Sequence, residues 1–195
     1  GRSAECGVIE LGMDAGAAVR YITIEQLRKG AAVPEADVSL VIAGTAVPGK
    51  YLRAMPASGR EIREMAGRLP GIRALGGPAA LDPSLGDGYH ALAGHDPAMV
   101  LHRLLLGEEP VDRWRGLEDW NRWLLMGSSM VTQHPDFPQP LIAEIETYRG
   151  CPRYASGGCS FCVEPAKGAP VTRDEEDIIA EVAALRRAGV RNFRL

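Results

Sequence analysis

Leu141-Ile-Ala-Glu-Ile-Glu-Thr-Tyr-Arg-Gly-Cys151-Pro-Arg-Tyr-Ala-Ser-Gly-Gly-Cys159-Ser-Phe-Cys162 runs from an alternating segment straight into a loop that holds three of the chain's four cysteines. Over Leu141–Tyr148, residues Ile142, Glu144 and Glu146 alternate with Leu141, Ala143 and Ile145, the period of a strand with one polar and one apolar face. Gly150, Pro152, Gly157 and Gly158 then let the backbone bend tightly. Three thiols separated by seven and then by two residues can therefore converge on one metal centre. Zinc and iron both answer to that description. A closed zinc site wants a fourth ligand, whereas the remaining cysteine, Cys6, is remote and no histidine occurs between Cys151 and Leu195. On a four-iron cluster, three cysteines leave one iron open to a substrate or cofactor.

Downstream, Thr172–Gly189 reads as the clearest helix of the chain. Thr172 is expected as its N-cap with Glu175 closing a capping box, acidic residues fill the first turn, and Arg186, Arg187 and Gly189 end it. Ile178, Ile179, Val182 and Leu185 are expected to face the core. Val190–Leu195 then reads as a second strand. This β-loop-α-β order matches the first unit and a half of a β/α barrel, whose active sites lie at the carboxyl ends of the strands. The cysteine loop occupies that place.

The lead-in Glu146-Thr-Tyr-Arg-Gly-Cys-Pro-Arg and the ending Gly157-Gly-Cys-Ser-Phe-Cys-Val-Glu-Pro resemble the cluster-binding loop of the radical S-adenosylmethionine superfamily, whose usual spacing is three and then two residues. More narrowly, they resemble a largely archaeal group of radical S-adenosylmethionine proteins with an amino-terminal Rossmann-like domain and a carboxyl-terminal helix-hairpin-helix region, which is absent from these 195 residues. The resemblance implies that Cys151, Cys159 and Cys162 each ligate one iron of a [4Fe-4S] cluster. It also implies that the fourth iron takes the amino and carboxylate groups of S-adenosylmethionine, and that reductive cleavage yields a 5′-deoxyadenosyl radical. An electron donor such as ferredoxin or flavodoxin is implied with it. Phe161 stands where the superfamily often places an aromatic near the adenine; packing beneath the loop is the competing reading. Arg149, Arg153, Glu164 and Lys167 flank the loop and could tune a cluster, or could be solvated loop residues. Two readings from other classes stay open: a structural zinc module and an electron-transfer iron–sulfur module without catalysis.

Upstream, Asp37-Val-Ser-Leu-Val-Ile-Ala-Gly44 has the pattern of a buried parallel strand. Ser58–Leu69 places Ile62, Met65, Ala66 and Leu69 on one helical face, with Ser58 and Glu61 spaced as a capping box. Gly71–Pro78 reads as a second strand, and Tyr89–Gly94 followed by an Asp96-capped helix to Leu106 repeats the order. Earlier still, Ile22–Gly30 suggests a short helix stopped by glycine. Residues 1–110 are thus expected to form a small doubly wound, Rossmann-like α/β domain resembling a cobalamin-binding domain. Residues 111–140 are expected as a linker, and 141–195 as the start of a truncated β/α barrel. Ligands of such a domain would sit at Thr45–Tyr51 and Gly76–Pro78. Cobalamin is not expected, because no Asp-x-His-x-x-Gly sequence occurs. His90 and His95 are expected as hydrogen-bonded structural residues and His134 as exposed. Trp114, Trp120 and Trp123, around a helix at Leu117–Met126, are expected to pack in the interior rather than to stack on bases.

The net charge of −3 gives no electrostatic ground for a nucleic-acid surface and does not exclude one. No apolar run approaches the ~20 residues that span a bilayer, and no signal peptide is recognisable, so a cytoplasmic chain without membrane association is expected. Cysteines gathered in one loop argue against a disulfide framework. The start at Gly1 and the stop inside a strand suggest a piece of a longer enzyme, inactive by itself.

Overall fold

The computed structural model describes residues 16–44, 55–162 and 164–195. Cys6 and the Thr45–Tyr51 segment lie outside them. The chain is α/β: helices alternate with strands, and the principal sheet is parallel.

Helix α1 (Ile24–Arg28) begins at Thr23, whose hydroxyl caps the Gln26 amide in a full capping box. Strands β1 (Val38–Ile42), β2 (Ile72–Gly76) and β3 (Ala91–Ala93) form a parallel sheet in the order 1-2-3, with Leu40 opposite Ala74 and Ala74 opposite Ala91. Helix α2 (Gly59–Arg68) makes the β1–β2 crossover, and the Ser58–Glu61 capping box is formed as its spacing requires. Between β2 and β3 the chain makes two short 3-10 turns, Pro78–Leu81 and Pro83–Leu85, which hydrophobic periodicity did not announce. Helix α3 (Pro97–Leu105) follows β3, capped by the Asp96 carboxylate on the Ala98 amide.

Strand alternation distributes the core on both faces of this sheet. Leu75 packs with Ile62 of α2, while its neighbour Ala74 packs with Val100 of α3. Gly76 is required by that second contact, since a Cβ there would stand 2.7 Å from the ring of Pro97.

Helix α4 (Leu117–Met126) continues into a 3-10 segment, Gly127–Gln133. It is a structural bridge. Trp123 packs with Ala98, Met99 and Leu101 of α3, whereas Trp120, nearly one turn earlier, packs with Leu124, Met130 and Val171. Both rings are buried, as their helical spacing suggested. His134 is only partly exposed, because its ring stacks on Tyr21.

Strand β4 (Ile142–Glu144) pairs in parallel with β7 (Asn192–Arg194) across helix α5 (Glu175–Arg187). Ala143 and Ile145 join Leu185 and Val190 in the core, and Ile142 and Glu144 are exposed, so the expected two-faced strand is present. It is shorter than expected: Tyr148–Arg149 is a separate strand, β5, paired antiparallel with β6 (Val171–Thr172). Thr172 is therefore not the cap of α5. Its backbone is committed to Tyr148, and the N-cap is Asp174. Ile178, Val182 and Leu185 share the core face, whereas Ile179, about 100° further round the helix, is 65% exposed.

Candidate functional site

The β5–β6 pair closes the base of the cysteine loop. Tyr148 faces Thr172 and Arg149 faces Val171, and the Arg173 amide donates to the Thr147 carbonyl at 3.0 Å. Within the loop the Cys151 amide donates to Gly168 O at 3.0 Å, and the Gly150 amide donates to Glu164 Oε2 at 3.1 Å. Gly150 has φ +89°, and a Cβ would meet the Ala169 carbonyl oxygen at 2.4 Å, so only glycine fits this crossing. Lys167 braces the carboxylates on either side, at 2.7 Å from Glu164 and 3.4 Å from Glu146.

Cys151, Cys159 and Cys162 are free thiols. Cys151 and Cys159 are half-buried and Cys162 is exposed. Arg153 lies between the first two: its amide donates to Cys151 Sγ at 3.4 Å, and its Nη2 donates to Cys159 Sγ at 2.8 Å. Among the described residues Cys162 is tied by its backbone, its amide donating to Cys159 O at 3.1 Å. Among the described residues no three His, Cys, Asp or Glu side chains are gathered closely enough to hold a metal ion. The loop thus assembles the donors without closing them around a centre. Three free thiols on a glycine-rich loop, with one backbone amide and one guanidinium N–H donating to sulfur, are a donor set that an iron–sulfur cluster could use.

Phe161 is 88% exposed and does not pack beneath the loop. Among the flanking residues, Arg153 is exposed and touches sulfur, Lys167 is paired, and Arg149 is buried. Arg149 is 8% exposed, donates through Nη2 to the Arg115 carbonyl, and lies over the rings of Trp114 at 6.0 Å and Trp120 at 4.6 Å. Desolvation holds its guanidinium below the ordinary arginine range, against the pull of Asp96 and Glu146. Arg115 in turn makes a buried two-pronged pair with Asp96, both bonds 2.6 Å. On the other side of the stem, Arg173 donates to Glu181 at 2.6 Å, to Asn121 at 2.6 Å and to the Glu146 carbonyl at 3.0 Å. Its guanidinium lies 5.7 Å from the centre of the Trp120 ring. Sequence reasoning missed this buried cationic frame; the cue was three tryptophans beside unmatched arginines.

His90 and His95 are hydrogen-bonded, as expected. His90 Nδ1 accepts from the Arg73 amide at 2.9 Å, and His95 Nδ1 lies 2.8 Å from Asp112 Oδ2 with its ring edge-on to Trp114. Gly77, at the carboxyl edge of the first sheet, has φ +80° and is pressed against the Ala43 carbonyl, leaving no room for a side chain.

No protein-family model matches the chain. It is 38% identical over 198 residues to an uncharacterised protein of Methanocaldococcus jannaschii, covering 91% of this chain and 36% of that protein. An uncharacterised protein of Archaeoglobus fulgidus is 38% identical over 185 residues, covering 90% of this chain and 32% of the relative. A tRNA-2-methylthio-N(6)-dimethylallyladenosine synthase of Alkalilimnicola ehrlichii is 44% identical over 102 residues, covering 49% of this chain and 20% of the enzyme. The chain therefore spans about a third of the length of the two archaeal relatives, and it is similar over about half its own length to an enzyme.

Proposed function

We propose that this chain is part of a radical S-adenosylmethionine enzyme whose [4Fe-4S] cluster is held by Cys151, Cys159 and Cys162. The observation that carries the proposal is the placement of three free thiols on one glycine-shaped loop, closed at its base by β5–β6 just beyond the carboxyl end of β4. The similarity to the tRNA methylthio-adenosine synthase supports it, since methylthiolation of RNA is among the reactions run from such a loop. A bound cluster supplies the electron that cleaves the sulfonium of S-adenosylmethionine.

The chain's own residues hold and shape the site. Glu164 and Lys167 fix the turn at Gly150, and Arg153 holds the first two sulfurs. Phe161, standing out of the loop, is assigned to the adenine of S-adenosylmethionine. We assign residues 1–110 to a Rossmann-like domain, 111–140 to the connection and 141–195 to the start of the barrel. A ferredoxin- or flavodoxin-like donor would reduce the site.

Anaerobic reconstitution of this chain and of the full-length protein with iron and sulfide, followed by metal analysis, tests the proposal. About four irons per chain and a broad visible absorption are expected, lost on substitution of any of the three cysteines by Ala. One zinc per chain without that absorption would replace the cluster by a structural zinc loop. In the full-length protein S-adenosylmethionine should perturb the reduced cluster's paramagnetic signal; an unperturbed signal would leave an electron-transfer module.

A further inference from the structure

We propose that Arg153 is the positioning residue of the cysteine loop, tying Cys151 to Cys159 across the seven intervening residues before any metal is present. Two contacts from one residue carry this. The Arg153 amide donates to Cys151 Sγ at 3.4 Å and the guanidinium donates to Cys159 Sγ at 2.8 Å. Arg153 is exposed and has no carboxylate partner among its described bonds, so no ion pair or core contact accounts for its orientation. The intervening residues give the tie its meaning. Pro152 to Gly158 contain only the short turn Tyr154–Ser156, and Gly157 and Gly158 both have positive φ. Such a segment samples many conformations when its ends are free, and pinning two sulfurs to one side chain removes most of them. Cys162 lies outside the tie, and among the described residues it is brought close by the Cys159 carbonyl. The loop is thus prepared in two parts, a fixed pair and a third thiol that follows. The role of the fixed pair as cluster ligands rests on the function proposed above; the tie itself does not.

Amide hydrogen exchange on the metal-free chain tests it. The reporters are the Tyr154 amide, bonded to Cys151 O, and the Cys162 amide, bonded to Cys159 O. In R153M both should exchange about fivefold faster, the population shift that follows from losing one such bond. C159A should give the same acceleration, and R153M/C159A should be no faster than either single variant, because both remove one shared contact. A general loosening by an exposed substitution would not show that non-additivity. Exchange in R153M equal to wild type, or a multiplicative effect in the double variant, overturns the tie. Iron loading of the wild type is scored separately. If R153M accelerates exchange while the wild type takes no iron, the tie stands and the cluster falls; if the wild type loads iron while R153M leaves exchange unchanged, the reverse holds.

Discussion

The guanidinium of Arg149 sits 4.6 Å from the centre of the Trp120 ring, two residues ahead of Cys151. Arg149→Ala removes a cation from a buried aromatic face and the donor from the Arg115 carbonyl. A loss of about 2 kcal/mol in unfolding free energy is expected, read by urea denaturation with tryptophan fluorescence. Arg149→Lys should recover little of it, since an ammonium lacks the planar group that both lies over the ring and reaches the carbonyl. Wild-type stability in the alanine variant would show that the stack carries no weight.

Asp96, the cap of α3, and Arg115, just ahead of the tryptophan helix, form a buried ion pair with side chains 2% and 5% exposed. Removing the acid strands a buried cation and uncaps α3. Asp96→Ala should cost about 3–5 kcal/mol, and the double replacement of Asp96 and Arg115 by apolar residues should cost less than the single one. Equal costs for the two would contradict a buried charge as the source.

Gly150→Ala tests the crossing at the base of the loop. With φ +89° and the Ala169 carbonyl 2.4 Å from the new Cβ, the stem must shift. The expected result is an iron content well below wild type after reconstitution, with far-ultraviolet dichroism unchanged, because the strain of roughly 1–3 kcal/mol falls on β5–β6 and not on the core. Full loading would show that the crossing is not needed.

Glu61 gives a pH signature remote from the loop. Arg28 donates to both its carboxylate oxygens, at 2.7 and 2.9 Å, and the Ser58 amide donates at 2.8 Å. These bonds, that of Arg28 foremost, hold its carboxyl down at about 2. A depressed folded value means that the α1–α2 tie is complete above the ordinary carboxylate range and weakens as pH falls toward 2. A carbon-13 titration should place the Glu61 midpoint near 2, and Arg28→Gln should raise it toward 4.5. A midpoint already near 4.5 in the wild type would mean that the tie does not form in solution.

Much of this architecture is legible in the residues. The Ser58–Glu61 box and the Asp96 cap are local signals, each contained within a turn or two, and each is realised; the apolar run before Gly44 forms its parallel strand, but at the sheet edge and only half-buried. The cysteine loop is equally local. What escapes is whatever depends on a partner far along the chain. Thr172 and Glu175 have the spacing of a capping box, yet Thr172 is held by Tyr148, a pairing two residues long that no periodicity reveals. Burial of Arg149 and Arg173 is likewise invisible, because it is set by Trp120 arriving from α4. Phe161 shows the converse: an aromatic usually turns inward, and this one is left out.

Arg149 enters the loop and Arg173 leaves it, and both guanidiniums lie against the Trp120 ring, at 4.6 and 5.7 Å. One indole therefore acts as a clasp on both ends of the segment between them. With its ends clasped, that segment can lengthen at small cost, since doubling a loop adds only about 0.6 kcal/mol of closure entropy. The gap of seven residues between Cys151 and Cys159, against three in the loop it resembles, is thus an extension of small entropic cost. One side chain of the tryptophan helix thus fixes both the point from which the segment departs and the point to which it returns.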